Sequence, residues 1–240
     1  MKIEVWSDFV CPFCYIGKRR LEEVLDTFPH KDEVEIVYKS FELDPNASRD
    51  TNLSIQEILA HKYRTSVNEA KRMTEGVAQQ AAAAGLQFNF DTMIPTNTLD
   101  AHRIAKFAET KGKDAKVTES LLKAHFTDSK HIGDHETLTE LAVEAGLDRQ
   151  EVQSILQGND YTEDVRADES KAREIGVQGV PFFVLNNKYA ISGAQSKDVF
   201  MGALQKVWEE EHAEVSLQSL SSAEGSVCTD DGCEIPNQNK

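Results

Sequence analysis

Lys2-Ile3-Glu4-Val5-Trp6-Ser7-Asp8-Phe9-Val10-Cys11-Pro12-Phe13-Cys14 opens a chain of 240 residues. From Lys2 to Trp6 polar and apolar side chains alternate, and Ser7-Asp8 follows, the pattern of a short strand running into a turn. At Cys11 the period changes. Ile16, Leu21, Val24, Leu25 and Phe28 recur at helical spacings until Pro29 stops the run. Val34 to Phe41 then reads as a second strand. Strand, helix and strand in this order predict a βαβ unit, whose crossover is right-handed in ~98% of cases.

The two cysteines sit where such a unit can use them. With Cys11 at the N-cap, Pro12 falls on the first helical position, where its missing N–H costs nothing and its fixed φ already suits the helix. Cys14 then lies in the first turn, close enough to close a small disulfide ring. Unpaired backbone N–H groups and the positive end of the helix dipole favour the thiolate of Cys11. Cys11 is thus the expected nucleophile, and Cys14, deeper in the turn, the thiol that resolves the mixed disulfide. A four-thiolate zinc site completed by Cys228 and Cys233 is the alternative. Proline between the thiols and the polar setting of the second pair argue against it, so neither a metal nor a cofactor is expected.

Forty-one acidic against twenty-six basic residues give a formal charge of -15, which repels nucleic acid and anionic lipid. Neither nucleic acid nor membrane is an expected partner. The start MKIEVWSDF lacks the basic and unbroken apolar stretches of an export signal, and no apolar run approaches ~18 residues, so a cytoplasmic protein is expected. Four cysteines are too few for a structural disulfide framework in a chain of this length.

From Ser54 to about Ile175 the chain is rich in Ala, Glu, Lys, Gln and Leu, with breaks near Thr65, Gly85 to Pro95, Gly112, Gly133, Gly146 and Gly158-Asn159. These breaks divide it into seven predicted helices, with Asp134 as one N-cap. Strand character returns over Val180 to Leu185 and, after Asn186-Asn187, over Lys188 to Ile191, a hairpin signature. A last helix is expected from Ser196 to His212 with Val199, Phe200, Leu204, Val207 and Trp208 on its apolar stripe. Beyond it, Ser, Glu, Asp and Asn dominate, and residues 213–240 read as a flexible tail. The expected organisation is an α/β domain from 1–45 and 160–212, a helical insertion over 46–159, and the tail with its Cys228-x4-Cys233 pair.

Ser7-Asp8-Phe9-Val10-Cys11-Pro12, Asn97-Thr98 to Ala101-His102-Arg103, Ile132-Gly133-Asp134, Gly176-Val177-Gln178-Gly179-Val180-Pro181-Phe182 and Ile191-Ser192-Gly193-Ala194-Gln195 together resemble the thioredoxin-fold superfamily. The resemblance is to its DsbA-like branch with a helical insertion, and within it to the FrnE-like group, over about residues 2–210. It implies a thiol-disulfide oxidoreductase or isomerase acting on protein or small-molecule disulfides. It also implies a cis peptide at Pro181 facing the thiols, a Val180 backbone offered to an extended substrate, and Pro12, Phe13 and His102 around the cleft. Cys228 and Cys233 would be a secondary redox pair. Phe13 supplies no imidazolium to support the thiolate, which argues against a strongly oxidising potential. Kappa-type glutathione transferases and 2-hydroxychromene-2-carboxylate isomerases share the inserted architecture. They generally carry serine where Cys11 stands, which sets them second. A homodimer is compatible with the sequence.

His131 and His135 lie four apart beside acidic residues, but Gly133 interrupts the helical spacing and capping accounts for Asp134, so a structural role is expected for both. Trp6, Phe9, Phe182 and Phe183 read as core or cleft-wall aromatics.

Overall fold

The structure is a computed structural model and describes residues 1–213 with the backbone of 227–229 and 232–234. Strand β1 (Lys2–Ser7) leads into helix α1 (Pro12–Thr27) and, past a 3-10 turn, strand β2 (Glu35–Ser40). Seven helices follow: α2 (Ile55–Tyr63), α3 (Val67–Ala83), α4 (Leu99–Thr110), α5 (Asp114–Phe126), α6 (His135–Glu144), α7 (Arg149–Gln157) and α8 (Thr162–Glu174). The chain returns through β3 (Phe182–Leu185), β4 (Tyr189–Ser192) and α9 (Lys197–Glu211). Strands β5 (Val227–Thr229) and β6 (Gly232–Glu234) pair antiparallel with Cys228 opposite Cys233. The rest of the expected tail lies outside the described residues.

The sheet has the order β2-β1-β3-β4, with β1 parallel to β2 and antiparallel to β3. Alternation along β1 sends Ile3 and Val5 to one face, where Leu21, Val24, Phe183, Leu185, Phe200 and Leu204 meet them from α1, β3 and α9. Trp6 points the other way, against Ala172 of α8, Val177 and Val184. Its indole N–H donates to the Asp168 carbonyl at 3.0 Å, so the large ring is buried with its polar atom satisfied. Asn186 and Asn187 both take positive φ, 50° and 54°, in the three-residue turn that joins β3 to β4, where the Lys188 N–H donates to the Leu185 carbonyl at 3.0 Å.

Two sequence expectations shift at element edges. Pairing of β3 starts at Phe182 rather than Val180, because Pro181 has no N–H to give a ladder. Val199 is exposed instead of lying on the α9 stripe: it sits about 100° around the helix from Phe200, off the line of Phe200, Leu204 and Val207 that meets the sheet.

The helical block closes its own core around Ile104, Phe107, Leu121, Leu122, Phe126, Leu138 and Val152. Asp134 caps α6 through the Thr137 N–H at 2.8 Å, and Asp148 caps α7 through Gln150 and Glu151. We keep the division into 1–45 with 160–212 and an insertion over 46–159 as a proposal supported by these separate cores. Tyr15 and Ile16 of α1 cross it, because they pack in the helical core while Leu21 and Val24 of the same helix pack on the sheet.

Candidate active site: two thiols at a helix start

The strand-to-helix turn is held by the Cys11 N–H donating to the Asp8 carbonyl at 3.1 Å. Cys11 is the N-cap of α1 with extended backbone (φ −91°, ψ 111°), and Pro12 opens the helix. The Cys14 N–H donates to the Cys11 carbonyl at 3.0 Å, which winds the first turn. Both cysteines are free thiols, and both are buried, Cys11 at 4% exposure and Cys14 at 2%. Phe13 between them is exposed.

Facing the pair, immediately before β3, is Val180-Pro181, whose peptide bond is cis. The Cys11 thiol donates to the Val180 carbonyl at 3.5 Å. Gly17 makes this approach feasible: a Cβ there would come within 3.2 Å of the Pro181 ring and of the Phe183 ring, so the helix presents bare backbone where β3 crosses it.

The sulfurs differ in surroundings. Burial pushes the Cys14 thiol well above the ordinary cysteine range, and its hydrogen bond to Cys11 and the charge of Cys11 push it further. The Ser7 side chain and the Asp8 backbone act in the opposite sense. Cys14 therefore holds its proton tightly, a division suited to one attacking and one waiting thiol.

With that arrangement in view, comparison with known proteins is decisive: a family model described as a DsbA-like thioredoxin domain matches residues 2–205. The chain belongs to the DsbA-like thioredoxin family. A probable DsbA oxidoreductase from Streptomyces coelicolor has a structure similar to this DsbA-like chain, with a TM-score of 0.84 and 39% identity, covering 99% of this chain and 100% of its own. An uncharacterized protein of Bacillus subtilis, YwbO, is 31% identical over 205 residues, 84% of this chain and 94% of its own. A 2-hydroxychromene-2-carboxylate isomerase shares the fold, with a TM-score of 0.68 at 18% identity over 90% of this chain and 100% of its own.

His102 of this DsbA-like chain is buried on α4, with Nε2 3.3 Å from Asp8 Oδ1 and its ring 4.7 Å from Phe9. Asp8 is itself 1% exposed and accepts the Leu43 N–H at 2.7 Å through its other oxygen. The neighbouring Arg103 is structural: its guanidinium donates to the carbonyls of Ile155, Gly158 and Asp160, taking up backbone acceptors at the end of α7.

His131 contacts the Arg49 carbonyl and Thr96, and His135 contacts Asp100 at 2.7 Å, so the two point to separate partners. Among the described residues no cluster of His, Cys, Asp and Glu could hold a metal ion, and no helix is long and apolar enough to cross a membrane. The side chains of Cys228 and Cys233 lie outside the described residues.

Reading the sequence singled out Cys11, Cys14 and Pro181, which the fold brings together, but missed Ser7, Asp8 and Gly17 as parts of the site. Gly17 had a local signal, a glycine inside a helical run. Asp8 read as a turn residue and as part of the stretch that carries the resemblance, and its burial was not legible because it depends on the chain returning through Leu43 and His102.

Proposed function

We propose that this chain is a thiol-disulfide oxidoreductase in which Cys11 attacks a substrate disulfide and Cys14 resolves the mixed disulfide. The contrast between the sulfurs carries the reading. Cys11 heads a helix with its thiol on the Val180 carbonyl, and Cys14 lies in the first turn with its proton held. The substrate segment would lie extended across Val180 and Pro181, with Pro12 and Phe13 forming the opposite lip. Exposed Phe13 suits an apolar stretch of a protein substrate, although small-molecule disulfides such as glutathione disulfide have the same chemistry. A FrnE-like role in the cytoplasm, with Cys228 and Cys233 as a secondary redox pair exchanging with the first, completes the proposal.

Insulin reduction and refolding of scrambled ribonuclease test it. Cys11→Ser should bring both to background, and Cys14→Ser should accumulate a mixed disulfide on Cys11 detectable by mass. Glutathione-dependent turnover that persists in Cys14→Ser and vanishes in Cys11→Ser would instead place the chain with the kappa-type transferases and isomerases. Loss of Cys228 and Cys233 together, with turnover unchanged and Cys11 adducts as before, would remove the second pair from the scheme.

A further inference from the structure

Cys11 is the attacking thiol of the scheme above, yet it is 4% exposed and its proton already has an acceptor, the Val180 carbonyl at 3.5 Å. No atom fits between a sulfur and an oxygen so placed. The space they close is the one an incoming client must enter, since the client sulfur has to reach Cys11 and the client backbone has to reach Val180. The second lone pair of the carbonyl offers no way round, because the block is one of volume.

What holds the carbonyl over the thiol is slight. On one side Val177 is anchored, buried and with its N–H on the Ala172 carbonyl at 2.9 Å. On the other, the Pro181 carbonyl accepts the Gly193 N–H at 2.8 Å. Between these anchors, Gln178, Gly179 and Val180 take part in no backbone-to-backbone hydrogen bond among the described residues. The half-buried Val180 side chain rests against the cluster around Trp6, and a Cβ on Gly179 would meet nothing within 4 Å, so the segment has room to swing. A stretch with so few backbone bonds belongs to the part of a fold that opens most readily.

We propose that the Cys11 thiol and the Val180 carbonyl form a redox-operated latch. It is closed in the dithiol form, where residues 178–180 cover Cys11, and open in the disulfide form, where client backbone binds. The inference rests on the oxidoreductase reading above. When the pair is oxidised, two electrons and two protons pass from the two thiols to a client disulfide, which becomes two thiols, and a bond joins Cys11 Sγ to Cys14 Sγ. Cys11 then has no hydrogen to donate, and the Val180 carbonyl is free to accept a client N–H. In the opposite direction a client dithiol gives up two electrons and two protons and leaves as a disulfide. The Cys11 thiol re-forms, returns to the Val180 carbonyl and displaces the product. The latch thus favours release of a client that has just been oxidised and opposes entry of a client disulfide to the dithiol form.

Nitrogen-15 relaxation of Gln178, Gly179 and Val180 reads the latch directly. Their order parameters should lie near the rigid value of about 0.85 in the dithiol form and fall below about 0.6 in the disulfide form. Cys11→Ala, which has no donor, should be open, and Cys11→Ser, whose hydroxyl donates in place of the thiol, should be closed. Order parameters in Cys11→Ala that match the dithiol form overturn the latch. Its consequence is read by fluorescence polarisation with dye-labelled insulin B chain whose cysteines are replaced by serine. The disulfide form should bind this peptide about fivefold more tightly than the dithiol form, the worth of one weak hydrogen bond. Equal binding, or tighter binding by the dithiol form, refutes the coupling to clients. Should the native protein fail to reduce insulin, the oxidoreductase reading falls by itself, and the contrast of Cys11→Ala with Cys11→Ser still decides the latch.

Discussion

In the sheet unit, Ile3 and Val5 from the start of the chain close their core on Phe183 and Leu185 from its far end, strand against strand. In the helical block, α4 packs on α5, α5 on α6 and α6 on α7, each on its successor in sequence. The first core needs distant segments to meet before it gains anything, and the second grows from neighbours. The candidate site lies where they join. The sheet unit supplies both sulfurs and the Val180 carbonyl, and the helical block supplies His102 and the core that receives Tyr15 and Ile16. A helix shared by both cores argues that the halves unfold as one.

That union can be broken by paired core deletions. Phe183→Ala in the sheet unit should cost about 3–5 kcal/mol and Leu121→Ala in the helical block about 2–5 kcal/mol. Each should lower one common denaturation midpoint seen by both helical and aromatic circular dichroism. Two separate transitions, each sensitive to one variant, would show the halves to be independent.

A pH effect comes next, and it belongs to the helical side. Burial pushes His125 down to about 4, and its Nδ1 is unpartnered among the described residues. Above about 6.5, the ordinary histidine value, His125 is neutral in both folded and unfolded chains and contributes no pH dependence. As pH falls from there toward 4, only the unfolded chain takes the proton. Stability is therefore lost on acidification, by roughly 3 kcal/mol across that window. Urea midpoints measured at intervals of pH should show this slope in the native chain and a shallower one in His125→Phe. Equal slopes would exclude His125 as the cause.

The seam itself is tested more gently. Glu119 of α5 binds Tyr15, Lys18 and Arg19 of α1, tying the helical block to the helix that carries the thiols. Glu119→Ala should cost about 1–2 kcal/mol, discounted because a third of the carboxylate side chain meets solvent. Removing the carboxylate should also lower the Tyr15 ionisation, which burial and Glu119 together hold above its ordinary value. A phenolate titration that does not move would deny the contact. Smallest is Asp134→Ala, a lost helix cap worth about 1 kcal/mol and expected in thermal melts without effect on thiol reactivity.

Much of this was legible before folding because its causes are local. Cys11 and Pro12 at a helix start, the Asp134 cap and the Asn186-Asn187 hairpin each follow from a few consecutive residues. The α9 stripe was legible except at Val199, where composition suggested burial and helical geometry refused it. Gly133 illustrates the opposite limit. It read as a break in helix spacing, yet a Cβ there would overlap Thr96 Oγ1, a contact between segments with no sign of each other in the sequence.

By itself the sequence determined two thiols at the head of a helix, the run of seven helices after the first βαβ unit, and the resemblance that Pro181 helped to carry. Tertiary structure alone decided that Val180 offers its carbonyl to Cys11 and that His102 is buried against Asp8. Caps, turns and periodicity act over a few residues, whereas Val180 meets Cys11 across 169 positions and His102 meets Asp8 across 94, and such meetings are settled by which apolar faces bury one another.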